Sequence, residues 1–150
     1  MKKRLKNQHV KKAFLIFFLS TIISFSYAQS SDVLKKGNSV YIECSSANDH
    51  AKNLKEQLVS RMGEWNYWKM ADNKKDADFV MEVETEASKG ITLTSWGGTS
   101  VMAKVKLDSK TGETIWESDG FKSSPNGSNG FNSTNAVSKK ILRAMKKKFN

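Results

Sequence analysis

Apolar and polar residues alternate with a period of two in two segments, residues 79–87 and 101–107. This period is typical of strands that bury one face and leave the other in water. The polar positions hold glutamates in the first segment and mostly lysines in the second. Because opposite charges on facing residues favour one register, we predict neighbouring antiparallel strands with a charged outer face. The charged residues are Glu82, Glu84, Glu86, Lys104 and Lys106.

Two other segments carry apolar residues at helical spacing. In residues 47–62 these residues form one narrow stripe. Ser46 and Asp49 have the spacing of a capping pair, and Gly63 is placed to end the helix. In residues 134–149 an apolar stripe lies opposite a row of basic residues. Each stripe needs an apolar surface to cover, so we predict that both helices pack on the apolar face of the sheet.

Shorter elements complete the pattern. Residues 40–44 alternate like a strand, and residues 65–70 are typical of a turn that leads into a short aromatic strand. A turn at 108–112 leads to another strand, and residues 119–132 are rich in Gly, Ser and Asn, which predicts a loop. The predicted fold is an α+β two-layer sandwich. It has a mostly antiparallel sheet of four or five strands with two helices on one face.

The amino-terminal segment has the order of a signal peptide. Basic residues 1–12 are followed by apolar residues 13–26 and then by small residues that end at Ala28. We predict cleavage after Ala28, a flexible leader over residues 29–38 and a single α+β domain over residues 39–150.

The apolar part of this peptide is shorter than the about 20 residues that a permanent membrane span needs. The residue after the predicted cut is Gln29, not cysteine. We therefore expect a periplasmic or secreted protein without a lipid anchor. The end of the peptide, Ala28-Gln29, resembles export peptides of Bacteroidetes-type bacteria.

Removal of the peptide changes the charge of the chain. Six of the 25 basic residues and none of the 15 acidic ones lie in residues 1–28, so most of the net charge of +10 is removed with it. Residues 133–150 keep six basic residues and no acidic one. Cys44 is the only cysteine, which excludes an intrachain disulfide, and no Cys/His cluster has metal-ligand spacing. We predict neither a metal nor another cofactor.

The sequence offers two candidate catalytic arrangements, a Cys–His pair and a row of glutamates. Cys44 and His50 lie near a predicted helix start, where a thiol nucleophile can be activated. Cys44 also shares the apolar face of its strand, where a free cysteine behaves as a small hydrophobic residue. Glu82, Glu84 and Glu86 offer carboxylates about 6–7 Å apart, a separation that inverting glycosidases use. Catalysis needs a carboxyl group in a cleft, however, and a flat row facing lysines is the opposite environment. We expect no enzymatic activity.

Two segments are candidates for binding. A tryptophan flanked by glycines in the predicted loop 88–100 suits insertion into a partner, although a core-capping role is the alternative. The basic row of the last helix suits an acidic partner or an anionic membrane surface, or is simply a solvated face. We exclude nucleic acid, which an exported protein rarely meets. The candidate binding residues are Trp96, Gly97, Gly98, Lys139, Arg143, Lys146 and Lys147.

A family resemblance adds to this interpretation. Residues 76–83 hold an alanine-aspartate pair before a strand, and residues 103–116 hold an aspartate and a threonine-glycine pair between two strands. This pattern resembles the amino-terminal domain of TolB and related domains of curli-secretion and penicillin-binding-protein-activator lipoproteins. The resemblance implies a non-catalytic envelope module that docks onto other components. This chain departs from the lipoprotein members because it lacks the lipidated cysteine.

Two function hypotheses follow. The first is an exported, non-catalytic binding or adaptor module that docks onto an envelope protein or glycan through loop 88–100, loop 119–132 or the basic helix face. The second is a small hydrolase or thiol enzyme that uses Cys44 with His50, or the glutamate row.

Overall fold

Six strands and two helices form in the part of the chain that the computed structural model describes, residues 32–89, 98–126 and 132–149. The strands are β1 (Ser39–Cys44), β2 (Lys69–Met70), β3 (Phe79–Lys89), β4 (Thr99–Ser109), β5 (Thr114–Glu117) and β6 (Phe121–Ser123). The helices are α1 (Asp49–Trp65) and α2 (Ser133–Phe149). The predicted signal peptide lies outside the described residues.

The strands form one mixed sheet in the order β2-β1-β3-β4-β5, and β6 pairs with β4 beside β5. β1 is parallel to β2 and β3, whereas β4 is antiparallel to β3, β5 and β6. The α+β class is confirmed, but the prediction of a mostly antiparallel sheet with four or five strands is only partly right. α1 returns the chain to the end where β1 began, so β3 starts there and runs parallel to β1. β6 lies inside the predicted loop 119–132 and is too short to show a period.

β3 and β4 face each other over their whole lengths, from Phe79 opposite Ser109 to Lys89 opposite Thr99. Glu82 lies opposite Lys106 and Glu84 opposite Lys104, which confirms the predicted charge pairing. Glu86 faces Met102 instead. The apolar positions of both strands are buried except Ala87, which is exposed near the end of β3. The charged positions lie on the other face of the sheet.

The ends of α1 differ from the prediction. Asn48 caps the helix by accepting a hydrogen bond from the Ala51 amide, because the Ser46 hydroxyl instead donates to a carbonyl oxygen of β3. At the other end the helix continues past Gly63 to Asn66, whose φ of 53° ends it in the left-handed conformation. Asparagine tolerates this conformation better than most residues with a side chain.

The second half of the predicted flexible leader 29–38 is packed against the core. Leu34 is buried, and its carbonyl oxygen accepts a 3.0 Å hydrogen bond from Nε1 of the buried Trp68. The Trp68 ring contacts the rings of Phe79 and Phe149, with centroids 4.9 and 5.0 Å away. A buried indole N–H needs an acceptor, and the Leu34 carbonyl oxygen supplies it. The flexibility of the leader as a whole stays a prediction.

The starts of β1 and β3 are joined by Ser39 and Asp78. The amide and the hydroxyl of Ser39 both donate to Asp78 Oδ2 at 2.8 Å, and the Asp78 amide donates to the Ser39 carbonyl oxygen at 2.9 Å. These hydrogen bonds lower the pKa of the Asp78 carboxyl, and Lys110 lowers it further. The carboxylate form is therefore favoured in the folded protein.

We expect Asp78→Asn to lower the free energy of unfolding at pH 7 by about 0.5–1 kcal/mol, because the partly exposed carboxylate makes charge-assisted hydrogen bonds. A lowered folded-state pKa stabilises the protein above the unfolded-state pKa, and this stabilisation is lost as pH falls through the folded-state pKa. Urea unfolding at pH 7 and at pH 3 should therefore show a difference between wild type and variant that shrinks in acid. An equal difference at both pH values would contradict this explanation.

Candidate functional site

The exposed face of α2 carries a dense group of basic side chains. Its apolar residues Val137, Ile141 and Met145 recur every four residues and are completely buried against the sheet and α1. The basic residues of the helix lie outside this buried stripe and point to solvent. This surface, which we call the basic face, consists of Lys139, Lys140, Arg143, Lys146, Lys147 and Lys148, all exposed.

The charge of the basic face is not balanced locally. α2 contains no acidic residue, and within the described residues no carboxylate lies within 4.0 Å of these six side chains. Three of the lysines lie in the last turn of the helix, where the helix dipole favours cations. The basic face therefore carries an excess of positive charge, and one of its members, Lys140, donates a hydrogen bond to the Lys122 carbonyl oxygen.

A polar cluster between the two helices sets the orientation of this face. Arg61 of α1 donates from Nε to Ser138 Oγ at 3.0 Å and from Nη2 to Asn135 Oδ1 at 2.6 Å. The fully buried Ser138 hydroxyl also donates to Gln57 Oε1 at 3.0 Å. Because such bonds depend strongly on direction, they limit rotation of α2 about its axis.

The outer face of the sheet holds an open groove of about 910 Å³. Lys74 Nζ lies 2.6 Å from Glu43 Oε2 at one side, and Lys110 Nζ lies 3.7 Å from Asp78 Oδ1 near the other. The lining residues include Glu43, Glu82, Asp108, Lys74 and Lys110. No pattern within one segment predicts this groove, because its walls come from four separate segments. These are β1, β3, the loop before β3 and the β4–β5 turn.

The structure separates the predicted thiol and imidazole. The Cys44 Sγ donates to the Ala51 carbonyl oxygen at 3.4 Å, and His50 Nδ1 lies 3.5 Å from Thr134 Oγ1. Among the described contacts no hydrogen bond joins Cys44 to His50. Burial raises the pKa of the Cys44 thiol, an effect that the charge of Lys55 partly offsets. This environment favours the protonated thiol, whereas nucleophilic attack needs the thiolate.

We expect Cys44 to react slowly with iodoacetamide. At pH 8 the raised pKa leaves less thiolate than in an unfolded chain, so alkylation should be about tenfold slower in the folded protein than in urea. Mass spectrometry of timed samples measures both rates. A folded-state rate equal to or above the rate in urea would restore the thiol-enzyme hypothesis.

Among the predicted loop residues, Trp96 and Gly97 lie outside the described residues, and Gly98 lies just before β4. A Cβ atom placed on Gly98 would lie 2.7 Å from Pro125 Cβ and closer still to Pro125 Cγ. These distances are well inside van der Waals contact. Gly98 is therefore explained by close packing of two segments, and its role in binding stays a prediction.

We predict that Gly98→Ala lowers the free energy of unfolding by about 1–3 kcal/mol, the usual range for overpacking. The same substitution should cost less in a Pro125→Gly background, where the opposing ring is absent. A thermal-unfolding double-mutant cycle measures this coupling. Equal costs in both backgrounds would mean that the ring is not what requires glycine.

Comparison with known proteins identifies the fold. No family model and no curated protein matches the chain. Among solved structures, PelC from Paraburkholderia phytofirmans aligns with a TM-score of 0.52 and 16% identity, over 75% of this chain and 90% of PelC. The chain shares this fold with PelC. The PelC structures are dodecamers.

Two lipoprotein structures align less closely. A minor lipoprotein from Acinetobacter baumannii has a TM-score of 0.48 and 16% identity, over 72% of this chain and 90% of that one. A lipoprotein from Neisseria meningitidis has a TM-score of 0.46 and 14% identity, over 75% and 97%. The comparisons therefore show the fold alone, and no role follows from them. They give no support to the predicted absence of a lipid anchor.

None of the helices within the described ranges is long and apolar enough to cross a membrane. These residues also contain no group of three or more His, Cys, Asp or Glu side chains that could hold a metal ion.

Proposed function

We propose that this chain is an exported, non-catalytic adaptor module of a bacterial envelope that binds an acidic partner surface through the basic face of α2. The observation that carries the proposal is the set of six exposed cations on one helix, with no carboxylate within 4.0 Å of them among the residues that the structure describes. Charge of one sign on a rigid element speeds association and selects complementary partners.

One structural comparison and one predicted resemblance bear on this proposal. PelC, which has the same fold, is a dodecamer, so domains of this architecture can work through contacts with other chains. The resemblance to the TolB amino-terminal domain and its relatives suggests the finer description of a docking module. The PelC match concerns the fold, and the TolB resemblance concerns a sequence pattern. Neither names a binding surface, which the proposal takes from the charges of the basic face.

The rival hypothesis of a small hydrolase or thiol enzyme has weaker support from the geometry. Cys44 and His50 each hydrogen-bond to other groups. Glu82 and Glu84 lie opposite lysines on an open sheet face, which differs from the enclosed carboxyl pair that glycoside hydrolysis uses.

The proposal predicts that charge reversal on the basic face weakens partner capture. The helix variant is Lys139→Glu, Arg143→Glu and Lys146→Glu, and cross-linking in the native envelope followed by mass spectrometry is the measurement. We expect about tenfold less captured partner, because each lost charge pair at the edge of an interface contributes a few tenths of a kcal/mol or more.

A matched control separates this effect from net charge. The variant Lys36→Glu, Lys52→Glu and Lys69→Glu changes three exposed lysines outside α2 and alters the net charge equally. This control should capture the partner like wild type. Equal capture by all three proteins, with unchanged circular dichroism, would refute a role for the basic face.

A further inference from the structure

The two helices carry the positive excess of the domain. α1 holds three basic and three acidic side chains, and α2 holds six basic side chains and no acidic one. The other residues between 32 and 149 hold ten basic and twelve acidic side chains. The helices together therefore have a net charge of +6, and the remainder has a net charge of −2. Charge is thus divided unequally between the two layers of the fold, and α2 is the positive side.

The cations of α2 act as one patch rather than as separate charges. Lys139, Arg143, Lys146 and Lys147 follow each other at intervals of one to four positions, and residues three or four apart on a helix have Cβ atoms about 5–6 Å apart. This distance is shorter than the screening length of about 10 Å at 0.1 M salt, so their potentials add. Lys140 is left out of this patch, because it donates a hydrogen bond to the sheet layer of its own chain.

The composition of the basic face favours a lipid partner over a protein partner. Five of its six members are lysines, and only Arg143 is an arginine. The core of a protein–protein interface is depleted in lysine and enriched in arginine and aromatic residues. Lysine instead binds phosphate groups as a flexible point charge. The exposed residues of α2 are these six cations alone, so the face offers no aromatic or apolar anchor that could fill a pocket of a protein partner.

We propose that the acidic partner of the basic face is an anionic lipid surface of the envelope, on which the domain lies with α2 against the headgroups. This inference rests on the function proposed above and names the partner. Clusters of about four to eight basic residues on a helix are typical of segments that bind anionic lipid. The apolar stripe of α2 is buried in the protein core, so the contact is made by charge and the helix stays at the surface of the bilayer.

This orientation turns the outer face of the sheet away from the membrane. Both helices pack on the apolar face of the sheet, and the open groove of about 910 Å³ lies on the opposite face. A domain that is held on lipid by α2 therefore presents this groove to other envelope components. Such an arrangement joins the membrane contact to the adaptor role.

Electrostatic attachment gives the contact a defined strength and salt dependence. Each basic residue near an anionic membrane raises the partition onto lipid about fivefold. Neutralisation of three cations should therefore lower the partition about 100-fold. The attraction extends about 10 Å at 0.1 M salt and about 3 Å at 1 M, so binding should weaken steeply as salt is added.

Vesicle sedimentation tests the proposal with no other protein present. The exported chain is mixed with vesicles of phosphatidylglycerol and phosphatidylcholine in equal parts, and with vesicles of phosphatidylcholine alone as the neutral reference. Two proteins alter the patch: the helix variant defined above and its neutral form, Lys139→Gln, Arg143→Gln and Lys146→Gln. The neutral form keeps the test valid if charge reversal disturbs the fold, and circular dichroism checks both.

A matched control has the same net charge as the helix variant. It is Lys36→Glu, Lys69→Glu and Lys75→Glu, three exposed lysines outside both helices. Because these residues lie outside the patch, the control should partition onto anionic vesicles close to wild type.

We expect wild type to bind the anionic vesicles at about 0.1 M salt, to ignore the neutral ones and to be released at about 1 M salt. The neutral form should bind about 100-fold more weakly than wild type, and the helix variant at least as weakly as the neutral form.

Four results would overturn the proposal. These are no binding of wild type to anionic vesicles at low salt, equal binding to anionic and neutral vesicles, binding that persists at about 1 M salt, and equal binding by the control and the folded patch variants. If wild type ignores the vesicles while the helix variant still loses envelope capture, the lipid contact fails, the partner is an acidic protein and the adaptor function stands.

Discussion

The alignment of β3 with β4 is the constraint on which the rest of the structure depends. Their facing pairs run from Phe79 opposite Ser109 to Lys89 opposite Thr99 and place apolar side chains on one face of the sheet. A shift by one residue would turn every side chain of one strand to the other face. Glutamates would then lie under the helices, where an unpaired charge costs several kcal/mol. Burial of the apolar side chains and exposure of the charged ones therefore favour the same register.

The apolar face of the sheet contributes to folding stability, whereas its outer face carries charged side chains. Both helices cover the apolar face, and Trp68 joins the leader, β3 and α2 in one aromatic cluster. The outer sheet face and the exposed side of α2 both carry charged side chains. Exposed charges contribute little to folding stability, so these two surfaces are free to serve recognition.

The candidate residues differ in how far local pattern could identify them. The basic row of α2 was predictable because helical period alone decides which side of one segment is exposed. The hypothesis that joined Cys44 to His50 needed two side chains to meet, and Asn48 starts α1 so that His50 lies beside Thr134, 84 positions later. Gly98 looked like part of a binding loop, whereas its packing against Pro125 depends on a segment distant in sequence.

By itself the sequence determined the α+β class, the two faces of β3 and β4 and the basic face of α2, because each depends on periodicity within one segment and on charge pairing between two neighbouring strands. The tertiary structure alone decided that β1 runs parallel to β3, that β6 extends the sheet and that Leu34 completes the core. These features depend on packing between residues far apart in the chain. The pattern within one segment gives no information about that packing, so it could not predict them.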